Sequence, residues 1–251
     1  MRHTHFDCRR DGLTIRGDIW WPNTGRHPVF ILSHGFMANQ SMCRNYAKSF
    51  ADMGYAAVTF DFCGGGLFSK SDGKSVDMSI LTEVQDLEAV LSWVKAQPFA
   101  EPDDISLLGC SQGGFVSALV AKKHPEIKQL VLLYPALCIP DDARAGKMLM
   151  FHFDSEHMPN ILSRFPMKIG REYARAVMDW DFREEIKGYE GKTLLIHGTK
   201  DRIVDIQYAR EAEKLFRDCH YYEIEGGTHG FIGKYNKEVI TILENELSID
   251  K

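Results

Sequence analysis

The chain has 251 residues, of which 44% are apolar and 26% are charged, and its formal net charge is −5. That length and apolar content suit one α/β domain with a sizeable core, and the charged fraction is ordinary for a soluble globular protein. The negative balance offers no basic surface for nucleic acid, and it disfavours anionic membranes and polyanionic substrates. We therefore expect neither nucleic acid nor a membrane as a partner.

The cysteines and the start of the chain bear on location. The six cysteines are scattered, with no CxxC pair and no zinc-like spacing, so we interpret them as free thiols in a reducing compartment. Residues 1–5 lead into polar sequence instead of the apolar stretch of a signal peptide. No run approaches the ~18 apolar residues of a membrane span. The expectation is a cytoplasmic protein.

The predicted elements begin with a β-hairpin over residues 6–21, where the turn dipeptide Asp11-Gly12 separates two extended stretches. Short apolar runs, typical of strands buried on both faces, follow at 28–33, 55–60, 105–108, 130–133 and 193–196. Apolar residues at steps of three and four predict helices over 80–94, 208–216 and 239–243. This alternation predicts an α/β fold with a mostly parallel central sheet and helices on both faces.

One stretch, residues 137–173, breaks the alternation because it has no clean period and carries three prolines. We interpret it as a small cap inserted over the active site, with residues 1–136 and 174–251 forming the core domain. A long surface connection is the alternative, but structureless loops of this length are uncommon unless they are functional.

Ser111 is the candidate nucleophile, because it lies in a Gly-x-Ser-x-Gly pattern between a predicted strand ending at Leu108 and a predicted helix over 115–123. That strand–turn–helix setting is the one a nucleophile elbow requires. Glycine is needed at positions 109 and 113, because side chains there would clash with neighbouring backbone. A dinucleotide-binding loop is the rival interpretation, but its Gly-x-Gly-x-x-Gly spacing is missing.

A serine hydroxyl needs a base, and the base needs an orienting acid. The candidate base is His229, which comes last in the expected order of serine, acid and histidine. The candidate acid is Asp201, in the loop after the strand predicted at 193–196. Asp205 is the alternative acid, although it better suits the N-cap of the next helix.

The oxyanion of the tetrahedral intermediate needs backbone donors. The amide of Gln112, directly after the nucleophile, is one candidate. The amide of Phe36, in the loop after the strand at 28–33, is the other. His34, in the same loop, is interpreted as structural rather than as a second base.

Other histidines and glycines suggest sites that we do not expect. His152, Asp154 and His157 fit no strong metal motif, so we expect no metal ion there. The glycines at 64–66 lack the Lys-Ser or Lys-Thr of a phosphate loop, and a tight turn is the simpler interpretation. We interpret five further histidines as surface residues: His3, His5, His27, His124 and His220.

The sequence resembles the bacterial cinnamoyl (feruloyl) esterases, a branch of the α/β-hydrolase superfamily. The matching motifs span nearly the whole chain: His34-Gly35-Phe36 with Ala38-Asn39, Asp61-Phe62, Ser71-Asp72-Gly73-Lys74, Gly109-Cys110-Ser111-Gln112-Gly113-Gly114, Ile196-His197-Gly198-Thr199-Lys200-Asp201 and Glu225-Gly226 to His229. The resemblance implies a triad of Ser111, Asp201 and His229, an oxyanion hole of Phe36 and Gln112, and a cap that binds an aromatic acyl group.

The resemblance also implies that Asp142 and Tyr173 hydrogen-bond a phenolic hydroxyl of the substrate. The sequence departs from the family at three places. Cys110 stands where a histidine is usual, glycines fill 64–66 in place of Gly-His-Gly, and Leu149 replaces a polar cap residue. The third departure removes one hydrogen-bonding partner of a phenolic substrate.

These residues predict a serine carboxylesterase that works through an acyl-enzyme, needs no cofactor or metal and acts on a small-molecule ester. The resemblance implies hydroxycinnamate esters. The alternatives are a short-chain acyl esterase, a peptidase-like acyl hydrolase, or a non-catalytic hydrolase-fold binding protein. The sequence leaves a homodimer open.

Overall fold

The computed structural model describes residues 1–148 and 151–247. The strands are β1 (Arg2–Arg10), β2 (Leu13–Trp21), β3 (His27–Ser33), β4 (Ala56–Phe60), β5 (Ala100–Cys110), β6 (Gln129–Leu133), β7 (Lys147–Met148), β8 (Phe151–His152), β9 (Ile161–Ser163), β10 (Ile169–Gly170), β11 (Lys192–Gly198) and β12 (Asp218–Ile224). The helices are α1 (Arg44–Met53), α2 (Ile80–Lys95), α3 (Gln112–Lys123), α4 (Ile139–Arg144), α5 (Glu172–Arg175), α6 (Phe182–Ile186), α7 (Ile206–Glu213) and α8 (Lys234–Leu247). None of these helices is long and apolar enough to cross a membrane.

Eight strands form the central sheet, in the order β1-β2-β4-β3-β5-β6-β11-β12. β1 pairs antiparallel with β2, and β2 pairs antiparallel with β4. From β4 to β12 every neighbouring pair is parallel. The predicted α/β fold with a mostly parallel sheet is confirmed. Because parallel strands end at the same edge, the loops after β3, β5, β6, β11 and β12 meet there.

The core lies on both faces of the sheet, as β3 illustrates. Val29 and Ile31 pack in a cluster that includes buried residues of α2 and α3, whereas Phe30 and Leu32 pack in a cluster with α1 and α8. Alternate residues of a strand point to opposite faces. Both sets are apolar because both faces are covered by helices.

Two differences from the predicted elements are informative. β5 begins at Ala100, ahead of the predicted start at 105. The apolar pattern missed this first part of the strand because it contains polar residues, among them Asp103 and Asp104, that lie outside the buried part. α1 was not among the predicted helices. Its buried residues Tyr46, Ala47, Phe50 and Ala51 follow a helical period, and Gly54 ends it in the left-handed conformation with φ +110°.

The segment predicted as a cap, residues 137–173, contains α4, the antiparallel pair β7 and β8 and the antiparallel pair β9 and β10, and α5 begins at its end. Side chains from it, among them Cys138, Asp142, Met148 and Tyr173, line a pocket that also contains Ser111. Leu149 lies outside the described residues. The domain boundaries at 137 and 173 stay predictions.

Candidate active site

Ser111 lies in a strained turn between β5 and α3, with φ +53° and ψ −118°. Few residues other than glycine adopt this region, and the strain is typical of a nucleophile elbow. A Cβ atom on Gly109 would lie 2.1 Å from the Gly113 carbonyl oxygen, and one on Gly113 would lie 2.4 Å from that of His34. The glycines therefore allow α3 to begin directly against the strand ends, with Ser111 at the edge of the sheet.

A chain of hydrogen bonds joins the three residues predicted as the triad. The Ser111 hydroxyl lies 2.9 Å from His229 Nε2. His229 Nδ1 lies 2.7 Å from Asp201 Oδ2, and because a carboxylate only accepts, Nδ1 carries the proton. That tautomer leaves Nε2 free to take the serine proton. Asp205 instead caps α7, accepting from the amide of Gln207.

Asp201 is fixed by its own loop and by a second histidine. Its Oδ1 accepts from the amides of Ile203 and Val204 at 2.8 and 3.0 Å, and His197 Nε2 lies 3.3 Å from Oδ2. Burial alone would raise the pKa of this carboxyl, but hydrogen bonds from His197 and His229 hold it well below its ordinary value. The lowered pKa favours the charged form of Asp201 facing His229. His197 contributes to this effect, although the sequence analysis treated it only as part of the loop.

The loop after β3 lies against Ser111. A Cβ on Gly35 would contact the Ser111 Cβ at 3.1 Å, and Phe36 lines the same pocket as Ser111 and Gln112. His34 is fully buried, with Nδ1 2.8 Å from the Gly35 oxygen and Nε2 accepting from the Phe62 amide. Its burial lowers its pKa, so a neutral His34 holds this loop, as the structural interpretation predicted.

The Gln112 side chain belongs to a buried network that sequence reasoning missed. Its Nε2 donates to Glu83 Oε2 at 2.7 Å, and its Oε1 accepts from the Tyr173 hydroxyl. Glu83 is 1% exposed, and Oε1 of its carboxyl has no partner among the described residues. Burial raises the pKa of Glu83 well above its ordinary value, although the hydrogen bond from Gln112 opposes this shift. The only feature of the sequence that hinted at a buried Glu83 was its position directly before Val84, which lies on the apolar face of α2.

The pocket beside Ser111 is narrow, with a volume of about 30 Å³. It opens into a cleft of about 800 Å³ that reaches His229, Lys147 and Arg202. Asp142 lines both spaces, and its burial raises its pKa despite a hydrogen bond from Cys138 and the charge of Lys147.

Tyr134 is a further residue of the site that the sequence analysis did not single out. It follows β6, is buried, and its ring meets that of His229 edge-on at 4.7 Å between centroids. This contact limits the tilt of the imidazole between Ser111 and Asp201. The apolar run of β6 marked the strand, but nothing in the sequence marked the residue after it as a neighbour of His229.

The histidine–aspartate group and the glycine run that the sequence analysis set aside make contacts with neighbouring backbone. Asp154 accepts from the amides of Glu156 and His157 and lies 3.2 Å from His157 Nδ1. Within the described ranges His152 does not join these two in a cluster of metal-ligand atoms. The glycines at 64–66 lie at a turn in which a Cβ on Gly66 would lie 1.6 Å from the Ala38 oxygen, so this close approach requires glycine at position 66.

The sheet, the serine at the strand-to-helix turn, and the histidine and aspartate on later loops define an α/β-hydrolase. The chain belongs to the family described as serine aminopeptidase S33 (Hydrolase_4), whose model matches residues 25–166, more than half of the chain.

Relatives of known structure or sequence agree with this assignment. Est1E from Butyrivibrio proteoclasticus, solved with ferulic acid bound, is 27% identical, with a TM-score of 0.89 over 96% of each chain. A monoacylglycerol lipase from Mycolicibacterium smegmatis is 24% identical over 234 residues, which cover 83% of this chain and 82% of the lipase. An uncharacterized 31.7 kDa protein from Escherichia coli is 30% identical over 107 residues. That match covers 42% of this chain and 36% of the relative. The predicted resemblance to α/β-hydrolase esterases is confirmed.

Proposed function

We propose that the protein is a serine carboxylesterase that hydrolyses esters through an acyl-enzyme. The observation that carries the proposal is the Ser111–His229–Asp201 chain, with distances of 2.9 and 2.7 Å, at the floor of an open cleft. These distances lie within the reach that general-base activation of a serine requires.

The reaction follows from these contacts. His229 Nε2 takes the hydroxyl proton as Ser111 Oγ attacks the ester carbonyl, and the amides of Phe36 and Gln112 donate to the oxyanion. The carbon–oxygen bond to the alcohol breaks, and His229 returns the proton to the departing alkoxide. His229 then deprotonates a water molecule, which attacks the acyl-enzyme and releases the acid and free Ser111.

The proposed substrates are hydroxycinnamate esters. The support is the similarity to a protein that binds ferulic acid, together with Asp142 and Tyr173 on the wall of the acyl pocket. The Tyr173 hydroxyl donates to Gln112, so it is left to accept a hydrogen bond from a phenol, while Asp142 offers a second acceptor. The pocket must widen for an aromatic ring, and Met148 is a flexible wall residue that can move.

Ester hydrolysis is tested with a short p-nitrophenyl ester. Ser111→Ala should reduce kcat by about 10⁴-fold or more, because the nucleophile is lost. A matched control is Ser117→Ala on α3, which lies outside the pocket. A fluorophosphonate probe should label the wild type and not Ser111→Ala. Equal turnover of the ester by the wild type and Ser111→Ala would contradict the proposal.

The substrate class is tested separately with ethyl ferulate, ethyl cinnamate without a ring hydroxyl, and an aliphatic ester. Asp142→Asn should raise KM for the ferulate only, because the variant weakens a contact that the other esters do not make. Tyr173→Phe should lower kcat about two- to tenfold for all three esters, since it removes one hydrogen bond from Gln112. It should also raise KM for the ferulate, because the phenol loses one acceptor. A wild-type preference for the aliphatic ester would exclude hydroxycinnamates but leave esterase activity standing.

Peptide hydrolysis is the second candidate, and the serine aminopeptidase description of the family favours it. An aminopeptidase must bind a substrate ammonium near the scissile bond, and Asp142 is the pocket carboxyl available for that role. Aminoacyl p-nitroanilides discriminate between the two functions. Turnover of an anilide faster than of the esters, lost in both Ser111→Ala and Asp142→Asn, would replace the esterase proposal.

A further inference from the structure

We propose that the β1–β2 hairpin carries a binding site for a divalent transition-metal ion of the zinc class, formed by His3, His5 and Asp18. The site belongs to the outer edge of the sheet, because β1 is the first strand and three strands separate it from β5. At roughly 4.8 Å per strand it is far from Ser111. The inference does not rest on the proposed esterase function.

The strand register brings the three side chains to one face. His5 lies directly opposite Asp18, and His3 lies opposite Trp20, two residues further along β2. Side chains two apart on a strand share a face, and opposed residues of paired strands do as well. His5 Nδ1 hydrogen-bonds Asp18 Oδ1, and His3 Nε2 lies 3.6 Å from the same oxygen.

Asp18 is unusual because it is a buried carboxylate, 4% exposed, whose ion-pair partners within the described part of the chain are two imidazoles. Buried carboxylates generally need a cation or several hydrogen bonds. A divalent cation held jointly by the three groups would balance the charge of the carboxylate.

The donor set fits such an ion. One ligand atom from each residue lies within 4.8 Å of the others, and this is the only such group found among the described residues. A tetrahedral zinc ion with bonds of ~2.0–2.1 Å needs ligand atoms roughly 3.3 Å apart, a distance that side-chain rotation alone can reach. Two imidazoles and one carboxylate suit zinc, nickel or cobalt better than magnesium or calcium, which prefer oxygen.

The surroundings favour a stable site with an open face. The His3 ring stacks on Trp20, with ring centroids 4.7 Å apart, and this contact keeps it on the same side of the hairpin as His5 and Asp18. The side chains of His3 and His5 are 44% and 72% exposed, which leaves a path for the ion and for water as a fourth ligand. A bound ion would cross-link the edge strand β1 to β2.

The test uses the full chain, stripped with a chelator, with zinc chloride as the titrant in calorimetry and cobalt chloride in absorption spectroscopy. The wild type should bind one zinc ion per chain. His3→Ala and His5→Ala should each weaken binding by about tenfold or more, because each removes one of three ligands. Asp18→Asn should weaken it similarly, with its circular dichroism spectrum showing that it is folded.

The matched control is His220→Ala. His220 also lies between two carboxylates, with Nδ1 2.9 Å from Glu246 and Nε2 3.7 Å from Asp218. Because the two carboxylates face different nitrogens of the ring, they cannot bind one ion together with His220. This variant should bind zinc like the wild type. Zinc should also raise the Tm of the wild type and of His220→Ala, but not that of His5→Ala.

The proposal would be overturned by no stoichiometric zinc binding by the wild type, by unchanged affinity in both His3→Ala and His5→Ala, or by an equal loss in His220→Ala. A cobalt spectrum with a thiolate charge-transfer band would also overturn it, because the ion would then lie on a cysteine such as the partly exposed Cys219.

Discussion

At the scale of single residues, the position of the Asp201 carboxylate decides which nitrogen of His229 carries a proton. Asp201→Asn presents an amide that can donate toward Nδ1, so it favours the tautomer with Nε2 protonated and unable to accept from Ser111. We expect kcat to fall by about 10⁴-fold with little change in KM. Steady-state kinetics on a p-nitrophenyl ester measure this loss.

Asp205→Asn is the control for that substitution, since Asp205 lies in the same loop and asparagine also caps helices well. It should retain nearly full activity. A loss of equal size in both variants would mean that the loop as a whole, and not the carboxylate of Asp201, supports activity.

Glu83 gives a second residue-scale prediction, which concerns stability. Its pKa is raised in the folded protein, so between the unfolded value of ~4.3 and the folded value the native state binds one proton more than the unfolded chain. Stability from this group is therefore present at low pH and lost as pH rises, by up to ~1.4 kcal/mol per pH unit. Glu83→Gln, a neutral isostere of the protonated acid, should become progressively more stable than the wild type as pH rises.

Urea unfolding at about pH 5 and about pH 8 measures the difference between the two proteins. Glu88→Gln on the same helix is the control, because Glu88 is a partly exposed residue that pairs with Lys123 at 3.3 Å. Its stability relative to the wild type should change little over this range. Parallel pH profiles for Glu83→Gln and the wild type would mean that Glu83 is ionised in the folded protein.

At the scale of elements, the sequence predicted what local patterns determine. Asp11-Gly12 gave the hairpin, alternate apolar faces gave strands such as β3, and glycines around Ser111 gave the elbow. Glu83 could not be predicted, because a carboxyl on a helix looks solvated until the neighbouring Gln112 is known. Tyr134 was missed for a similar reason, since its contact with His229 joins residues far apart in the chain.

The start of α3 gives an element-scale prediction, because the helix begins so close to β3 that backbone occupies the space of a side chain. A Cβ on Gly113 would lie 2.4 Å from the His34 oxygen and 2.5 Å from the Ser33 oxygen. Gly113→Ala should therefore push α3 away from the end of β3 and the loop after it, destabilise the protein by about 1–3 kcal/mol and sharply reduce kcat. Chemical denaturation and ester kinetics measure the two effects.

Gly114→Ala is the control within the same turn, since its nearest contact would be Pro135 at 3.0 Å. It should cost less stability and less activity than Gly113→Ala. The reverse order would show that the crowding at Gly113 does not set the position of α3.

At the scale of the whole molecule, the antiparallel hairpin β1–β2 must be attached to a sheet that is otherwise parallel. One attachment is an ion pair across 76 residues of sequence: Arg10 Nε donates to Asp86 Oδ1 at 2.6 Å, and the Cys63 amide donates to Oδ2 at 2.8 Å. The Asp86 side chain is fully buried and that of Arg10 is 13% exposed. Burial raises the pKa of Asp86, which the charge of Arg10 opposes.

Removing the cation of that pair leaves a buried carboxylate with one amide donor, which is costlier than losing a surface contact. Arg10→Ala should destabilise the protein by about 3–5 kcal/mol at neutral pH, whereas Lys95→Ala, which breaks an exposed pair with Glu126, should cost about 0–1 kcal/mol. The double variant Arg10→Ala/Asp86→Asn should recover part of the loss, because asparagine removes the uncompensated charge and keeps a hydrogen-bonding oxygen for Cys63. Urea unfolding of the four proteins measures these differences. Equal losses in Arg10→Ala and Lys95→Ala would show that the Arg10–Asp86 pair does not attach the hairpin to the rest of the molecule.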